Sequence, residues 1–98
     1  MKTMDIVHVN WRDTKTRSEW LDREDGLAIR PEEVISVGLL LEDAADYVSI
    51  AQSWAQDGDV ADVTVVPRGM VLEVKRYATI NFAERTPTAL EVEQAEQK

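Results

Sequence analysis

The single histidine of the chain is the side chain best suited to acid–base or metal chemistry. His8 lies in the segment DIVHVNW, residues 5–11. A catalytic or metal-binding histidine needs a nucleophile, a carboxylate or further ligands close to it. Asp5 is the only such residue nearby in the sequence. We therefore interpret His8 as an exposed or edge-strand histidine, unless residues distant in the sequence meet it in the fold.

The acidic segment DGDVAD, residues 57–62, has three aspartates and superficially resembles a calcium loop. The further oxygen ligands and the distal glutamate of an EF-type loop are missing. Asp-Gly is also a strong signal for a hairpin turn, so we interpret the segment as a solvated turn. The sequence contains no serine-hydrolase, zinc-protease, P-loop or dinucleotide-binding motif and no cysteine. It therefore predicts no enzyme activity, no catalytic residue, no metal and no cofactor.

Tryptophans are the strongest candidates for a binding surface. The chain has three, Trp11, Trp20 and Trp54, and large aromatic side chains dominate both protein cores and binding hot spots. Trp20 lies in a charge-dense segment at residues 12–26, where a buried role is least assured. We nevertheless expect Trp20 to fold partly back on the core together with Leu21. The predicted partner-binding residues, in and around the loop at 12–25, are Trp20, Trp54, Arg17 and Arg68.

Two basic clusters keep nucleic-acid binding open as an alternative. They comprise Arg12, Lys15 and Arg17, and Arg68, Lys75, Arg76 and Tyr77. If the clusters meet in space they form a basic patch of the kind that lets Sm-like barrels bind RNA. The chain also has 19 acidic residues against 11 basic ones, so we favour ordinary charge balance.

The net charge of −8 makes nucleic acid a disfavoured partner, because an acidic surface repels phosphate backbones at long range. The same acidity permits a second alternative, in which carboxylates imitate nucleic acid and inhibit a protein that binds it. That alternative requires a continuous acidic stripe built from Asp22, Glu24, Asp25, Glu32 and Glu33.

Hydropathy indicates the compartment. No apolar run approaches the ~18 residues of a membrane span, and the N-terminal residues contain no apolar signal-peptide segment. The lack of cysteine suits a reducing cytosol. We expect a cytoplasmic protein with no membrane partner and no small-molecule substrate.

Alternating apolar residues predict a mainly β domain over residues 1–80. The predicted strand faces are Val7, Val9 and Trp11; Ile35, Val37, Leu39 and Leu41; Val48, Ile50 and Trp54; and Met70, Leu72 and Val74. In the long segment after the first strand we expect a helical turn near residues 18–22 and a short edge strand at 27–31. Residues 81–98 are polar and glutamate-rich, which predicts a tail or a short helix.

The segment VTVVPRGMVLEV, residues 63–74, interrupts an apolar run with Pro67 and Gly69. Proline fixes φ and glycine permits unusual φ, so the break predicts a helical corner that moves the last strand to another sheet. Five to six strands, a long first loop and this corner describe a small SH3-like barrel. An OB-type barrel and an open sandwich remain competitors.

Four short motifs are spread over residues 5–77. They are V-x-V-x-W at Val7, Val9 and Trp11; SVG at Ser36, Val37 and Gly38; AQS at Ala51, Gln52 and Ser53; and a proline-basic corner at Val66, Pro67 and Arg68. The combination resembles a group of small uncharacterised bacteriophage and prophage proteins. The resemblance implies a mobile-element origin and supplies no catalytic or ligand residues. With that origin, the expected location is the cytoplasm of the host cell, or the virion if the role is structural. The target of an acidic nucleic-acid mimic would then be a host nucleic-acid-binding or defence protein.

We therefore predict a non-enzymatic interaction module that acts through protein–protein contacts. Its partner is another protein or a second copy of the chain. Self-association is expected because exposed strand edges readily pair with one another.

Overall fold

The computed structural model describes residues 2–81, 90 and 93–94. The elements are β1 (Thr3–Asp13), α1 (Arg23–Leu27), β2 (Glu32–Asp43), β3 (Tyr47–Trp54), β4 (Val60–Pro67), a 3₁₀ helix (Arg68–Met70) and β5 (Val71–Asn81). The five strands form one antiparallel sheet in the order β4-β3-β2-β1-β5. The mainly β prediction is confirmed. The sheet is not closed, because β4 and β5 remain its two edges.

The predicted tail or helix at 81–98 falls outside the described residues, except for Asn81, Leu90 and residues 93–94. No helix in the described part of the chain is both long and apolar enough to cross a lipid bilayer.

The core lies on the inner face of the bent sheet. Its buried cluster is formed by Val7 and Val9 of β1 and Val48 and Ile50 of β3. Because β2 separates β1 from β3 in the sheet, their side chains meet only if the sheet curves around them. Trp11, Leu40, Val71 and Val74 are half-buried and pack against this cluster. The alternation predicted for β1 is therefore confirmed.

β2 directs its other set of apolar residues inward. Leu40 packs on the core, whereas Ile35 and Val37 are 64% and 54% exposed on the outer face. Gly38 also lies on the inner face, where a Cβ would lie 2.8 Å from the carbonyl oxygen of Ala51. The glycine therefore lets β3 approach β2 closely, which an alternation pattern alone does not reveal.

The predicted corner between β4 and β5 is present as the 3₁₀ helix. The expectation that it moves the last strand to another sheet is wrong, because β5 pairs with β1 in the same sheet as β4. The first residue of the 3₁₀ helix anchors it to the turn between β2 and β3. The Arg68 backbone N–H donates to the carbonyl of Asp46 at 2.9 Å, and its guanidinium binds the Asp43 carboxylate and the Ala44 carbonyl. The expected role of Gly69 is wrong, because its φ is not positive and a Cβ there would meet nothing within 4 Å. The glycine that does need positive φ is Gly58, at 102°, in the predicted Asp-Gly turn between β3 and β4.

The segment that joins β1 to β2, residues 14–31, is called the β1–β2 loop below. The helical turn predicted at 18–22 is wrong, since the helix is α1 and Asp22 is its N-cap. The Asp22 side chain accepts a hydrogen bond from the Asp25 N–H at 2.8 Å. Two acidic residues in the first turn also stabilise α1, because they interact favourably with the positive end of the helix dipole. The edge strand predicted at 27–31 is also absent from this loop, because Leu27 ends α1.

Candidate functional site

The β1–β2 loop borders a groove of about 610 Å³, called the loop groove below. Its lining includes Lys15, Arg17, Leu21, Asp25, Arg30 and Glu32. A smaller cleft of about 310 Å³ adjoins it, shares Arg30 and adds Arg12. The first basic cluster of the sequence therefore lines these two depressions, together with one arginine that the sequence analysis did not include.

Charge in the loop groove is reversed relative to the rest of the chain. Three basic side chains and two carboxylates line it, whereas the whole chain has 11 basic and 19 acidic residues. Arg30 is held in place because its guanidinium donates to the carbonyls of Leu27 and Ile29 at the end of α1. Lys15 has no hydrogen-bond or ion-pair partner among the described residues. The groove therefore presents cationic side chains to an incoming ligand.

Trp20 is fully exposed, at 102% of its reference accessibility. The expectation that it folds partly back on the core is wrong, while its neighbour Leu21 is half-buried and lines the loop groove. The difference has a local cause. α1 begins at Arg23 and buries none of its residues, so the loop has no apolar layer that could receive a second large side chain.

The ion pair beside Trp20 is formed by Arg17 and Glu19. Both Nε and Nη2 of Arg17 donate to the same carboxylate oxygen. This guanidinium holds the pKa of Glu19 below its ordinary value. Both side chains are about half exposed, so the pair contributes little to folding. The two residues of this pair lie three positions and one position before Trp20 in the chain.

The structure brings only part of the predicted contact set together. Arg17 lines the loop groove and Trp20 adjoins it in sequence. Trp54 is half-buried at the end of β3, opposite Val60 of β4. Arg68 belongs to the corner, where its guanidinium is tied to the β2–β3 turn. The residues that the sequence analysis missed are Leu21 and Arg30, which only the path of the loop places at this groove.

His8 has partners that the sequence did not reveal. Its Nδ1 lies 2.6 Å from the hydroxyl oxygen of Tyr77 and its Nε2 lies 3.1 Å from Oε1 of Glu73. These residues are 69 and 65 positions away in the chain and come together because β1 pairs with β5. Lys75 places its Nζ 5.3 Å from the centre of the Tyr77 ring.

The chemistry of this cluster is that of a hydrogen-bond relay. If the Nε2–H of His8 donates a hydrogen bond to Glu73, Nδ1 can accept a hydrogen bond from the Tyr77 hydroxyl. Nucleophile, base and carboxylate in series are the parts of a catalytic triad. The side chain of Glu73 is 58% exposed and Tyr77 is 57% exposed, so water reaches the hydroxyl freely, unlike in a closed active site. We interpret the relay as a link between the first and last strands.

The second basic cluster is largely neutralised within the chain. Arg68 is paired with Asp43, and Nε of Arg76 lies 3.3 Å from Oδ2 of Asp5. The acidic stripe is likewise interrupted, because Asp25 and Glu32 share the loop groove with three basic residues. Both arrangements weigh against the two nucleic-acid-related alternatives, which stay hypotheses.

Comparison of the chain with models of protein families, with curated proteins and with solved structures found no match.

Proposed function

We propose that this chain is a non-enzymatic SH3-like interaction module of phage or prophage type, and that it binds a protein partner through Trp20 and the loop groove. The strand order, the long β1–β2 loop and the one-turn corner before β5 support the SH3-like assignment. So does a core shared by β1 and β3. The mobile-element origin rests on the four sequence motifs.

The full exposure of Trp20 carries the proposal. Burying a tryptophan removes roughly 150–250 Å² from water, which at ~25 cal/mol per Å² amounts to several kcal/mol. Trp20 contributes none of this free energy to the isolated chain. A complex in which a partner covers the indole gains it, which is why tryptophan is enriched among residues that dominate binding energy.

The lining of the loop groove defines the chemistry of the partner. Leu21 provides an apolar contact beside Trp20, and Lys15 and Arg30 supply positive charge. The matching ligand is a protein segment with an apolar anchor next to carboxylates. An acidic segment is otherwise repelled by a chain of net charge −8, so its binding is confined to this groove.

The test is a comparison of two variants of the full-length tagged chain, expressed in the natural host. Trp20→Ala removes the exposed indole, and Leu27→Ala removes another exposed apolar side chain of the same loop. Leu27 does not line the groove, so it is the matched control. We expect Trp20→Ala to lose the stoichiometric co-purifying protein and Leu27→Ala to retain it. Both should keep the wild-type far-ultraviolet circular dichroism.

Tryptophan emission provides the direct readout with the isolated partner. Binding should shift the emission of Trp20 to shorter wavelength, and the shift should be missing in Trp20→Ala. Equal binding by Trp20→Ala and the wild type would disprove the proposal. A high 260/280 nm absorbance ratio in the eluate would instead revive nucleic-acid binding.

A further inference from the structure

The two tyrosines of the chain differ in the group that can accept the hydroxyl proton. The hydroxyl oxygen of Tyr77 lies 2.6 Å from Nδ1 of His8, whereas the hydroxyl of Tyr47 donates to the Glu42 carboxylate. A neutral imidazole is a stronger base than a carboxylate, because histidine has an ordinary pKa of about 6.5 and glutamate one of about 4.3. The environment of Tyr77 therefore combines a phenol with the better proton acceptor.

Glu73 determines which nitrogen of His8 accepts that proton. An ionised carboxylate can only accept hydrogen bonds, so the 3.1 Å contact between Nε2 of His8 and Oε1 of Glu73 requires the hydrogen on Nε2. In the neutral imidazole this leaves the lone pair of Nδ1 facing the Tyr77 hydroxyl. The His8 side chain is only 17% exposed, which restricts the positions that its ring can adopt. His8 is thus oriented as a general base toward one hydroxyl.

The strand register places His8 between the other members of this cluster. Glu73, Lys75 and Tyr77 alternate along β5, a spacing that directs side chains to one face of a strand. His8 of β1 is paired with Lys75, and although the register shifts between Arg76 and Ala78, the Tyr77 hydroxyl still reaches the imidazole. The Lys75 ammonium lies 5.3 Å from the centre of the Tyr77 ring. A cation at this distance favours the negative charge that develops on a phenol as its proton leaves.

We propose that Tyr77 is an acyl-acceptor site whose nucleophilic oxygen is activated by His8. The ligand class is a small activated acyl compound, such as an acyl imidazole or the ester of an acidic alcohol. The Tyr77 oxygen attacks the carbonyl carbon while its proton moves to Nδ1 of His8. The new O–C bond forms, and the leaving group departs with the electron pair of its own bond to carbon and takes up the proton. The products are an ester at Tyr77, the protonated leaving group and a regenerated neutral His8.

The exposure of the cluster suits an acceptor that reacts once. Tyr77 is 57% exposed, so a small reagent in solution can reach its hydroxyl. The same exposure provides no means of excluding water from the reaction, so we expect one acyl group per chain and no rapid turnover. Until it is acylated, the hydroxyl still links β5 to β1 through His8. The ester has no proton to donate, so acylation also breaks this link between the first and last strands.

Acetylation of the full chain by N-acetylimidazole tests the proposal. Proteolysis and mass spectrometry measure the rate at both tyrosines in one sample. A positioned general base typically contributes about 10²–10⁴-fold in an enzyme, and we expect a smaller factor of about tenfold at this exposed site. Tyr77 should therefore react about tenfold faster than Tyr47. His8→Phe keeps a planar ring but removes the base, so it should slow Tyr77 about tenfold and leave Tyr47 unchanged.

Glu42→Gln is the matched control, because it removes the hydrogen-bond partner of the other tyrosine. It should leave the rate at Tyr77 unchanged. Hydroxyl-radical oxidation of the Tyr77 ring provides a second control, since it depends on exposure and needs no base. The ratio of acetylation to oxidation at Tyr77 is therefore the readout, and it separates loss of the base from burial of the ring.

Three results would overturn the proposal. They are a Tyr77 rate no greater than that of Tyr47, a ratio unchanged by His8→Phe, or an equal fall of the ratio in Glu42→Gln. If His8→Phe loses its circular dichroism signal, His8→Gln replaces it, and the ratio should fall in the same way. Trp20 and the loop groove take no part in this chemistry, so this proposal and the proposed function fail separately.

Discussion

Two tryptophans of this chain have opposite environments, and the difference separates folding from binding. Trp11 packs against the core, and its Nε1–H donates to the Ser36 hydroxyl at 3.1 Å. The indole of Trp20 is surrounded by solvent. Alternation within β1 predicted the position of Trp11. No periodicity predicts a loop residue, so the exposure of Trp20 required the structure.

Tyr47 offers a test at the level of one hydrogen bond. Its hydroxyl donates to Oε2 of Glu42 at 2.5 Å, and this contact, with lesser help from desolvation, raises the pKa of Tyr47 above its ordinary value. The carboxylate stabilises the protonated phenol, so the contact stabilises the fold fully below pH ~10. That stability is lost as the pH rises through the raised pKa.

Absorbance at 295 nm, followed from pH 8 to 12.5, measures this ionisation. We expect Glu42→Gln to lower the pKa of Tyr47 toward the ordinary tyrosine value, because the accepting charge is gone. Tyr47→Phe identifies which tyrosine accounts for the late transition. An ionisation that stays equally late in Glu42→Gln would show that the carboxylate is not the cause.

At the scale of elements, the contact between β2 and β3 depends on a missing side chain. A Cβ at position 38 would lie 2.8 Å from a backbone oxygen and 3.3 Å from Cβ of Ile50, so one of the two strands must shift. We expect Gly38→Ala to reduce the free energy of unfolding by about 1–3 kcal/mol. Urea denaturation followed by circular dichroism measures the loss.

Gly69→Ala is the matched control for that substitution. Position 69 has open space around it and no positive φ, so its alanine variant should be neutral or more stable by up to about 1 kcal/mol. A larger loss at position 69 than at position 38 would contradict this account of both glycines.

The strands could be predicted from sequence because each has a period of two or a continuous apolar run. The bounding turns could be predicted as well, since Asp-Gly and Pro67 have strong local preferences. The face that β2 buries could not be predicted, because VISVGLLL is apolar on both sides. Only the close approach of β3 to Gly38 decides which of the two faces is buried. The contact of His8 with Tyr77 was equally hidden, because the register shift in β5 repositions residue 77 relative to β1.

For the whole molecule, we expect repulsion among the excess acidic charges to affect stability more than the individual ion pairs do. The described pairs Arg17–Glu19, Arg68–Asp43 and Arg76–Asp5 are all partly exposed, so each contributes little to stability and weakens in salt. Repulsion among 19 acidic residues with only 11 basic ones is distributed over the whole surface. It also weakens in salt, since the Debye length falls to about 10 Å at 0.1 M.

We therefore expect the thermal midpoint to rise between 10 mM and 200 mM sodium chloride. Differential scanning calorimetry at low micromolar chain measures the change. Sucrose of matched osmolality controls for general solvent exclusion. A midpoint that falls with salt would show that the ion pairs dominate over the net charge.

The pairing of the first strand with the last also sets the order in which the chain can fold. Thr3 is paired with Asn81, and Val9 with Val74, so these contacts join residues almost a full domain apart in sequence. A growing chain on the ribosome can pair β2, β3 and β4 in turn, but β1 lacks its second neighbour until β5 has been synthesised. Closing so long a loop is slow. The side of the core on which Val71 and Val74 of β5 pack therefore stays open to water, and to chaperones, until nearly the whole domain has left the ribosome.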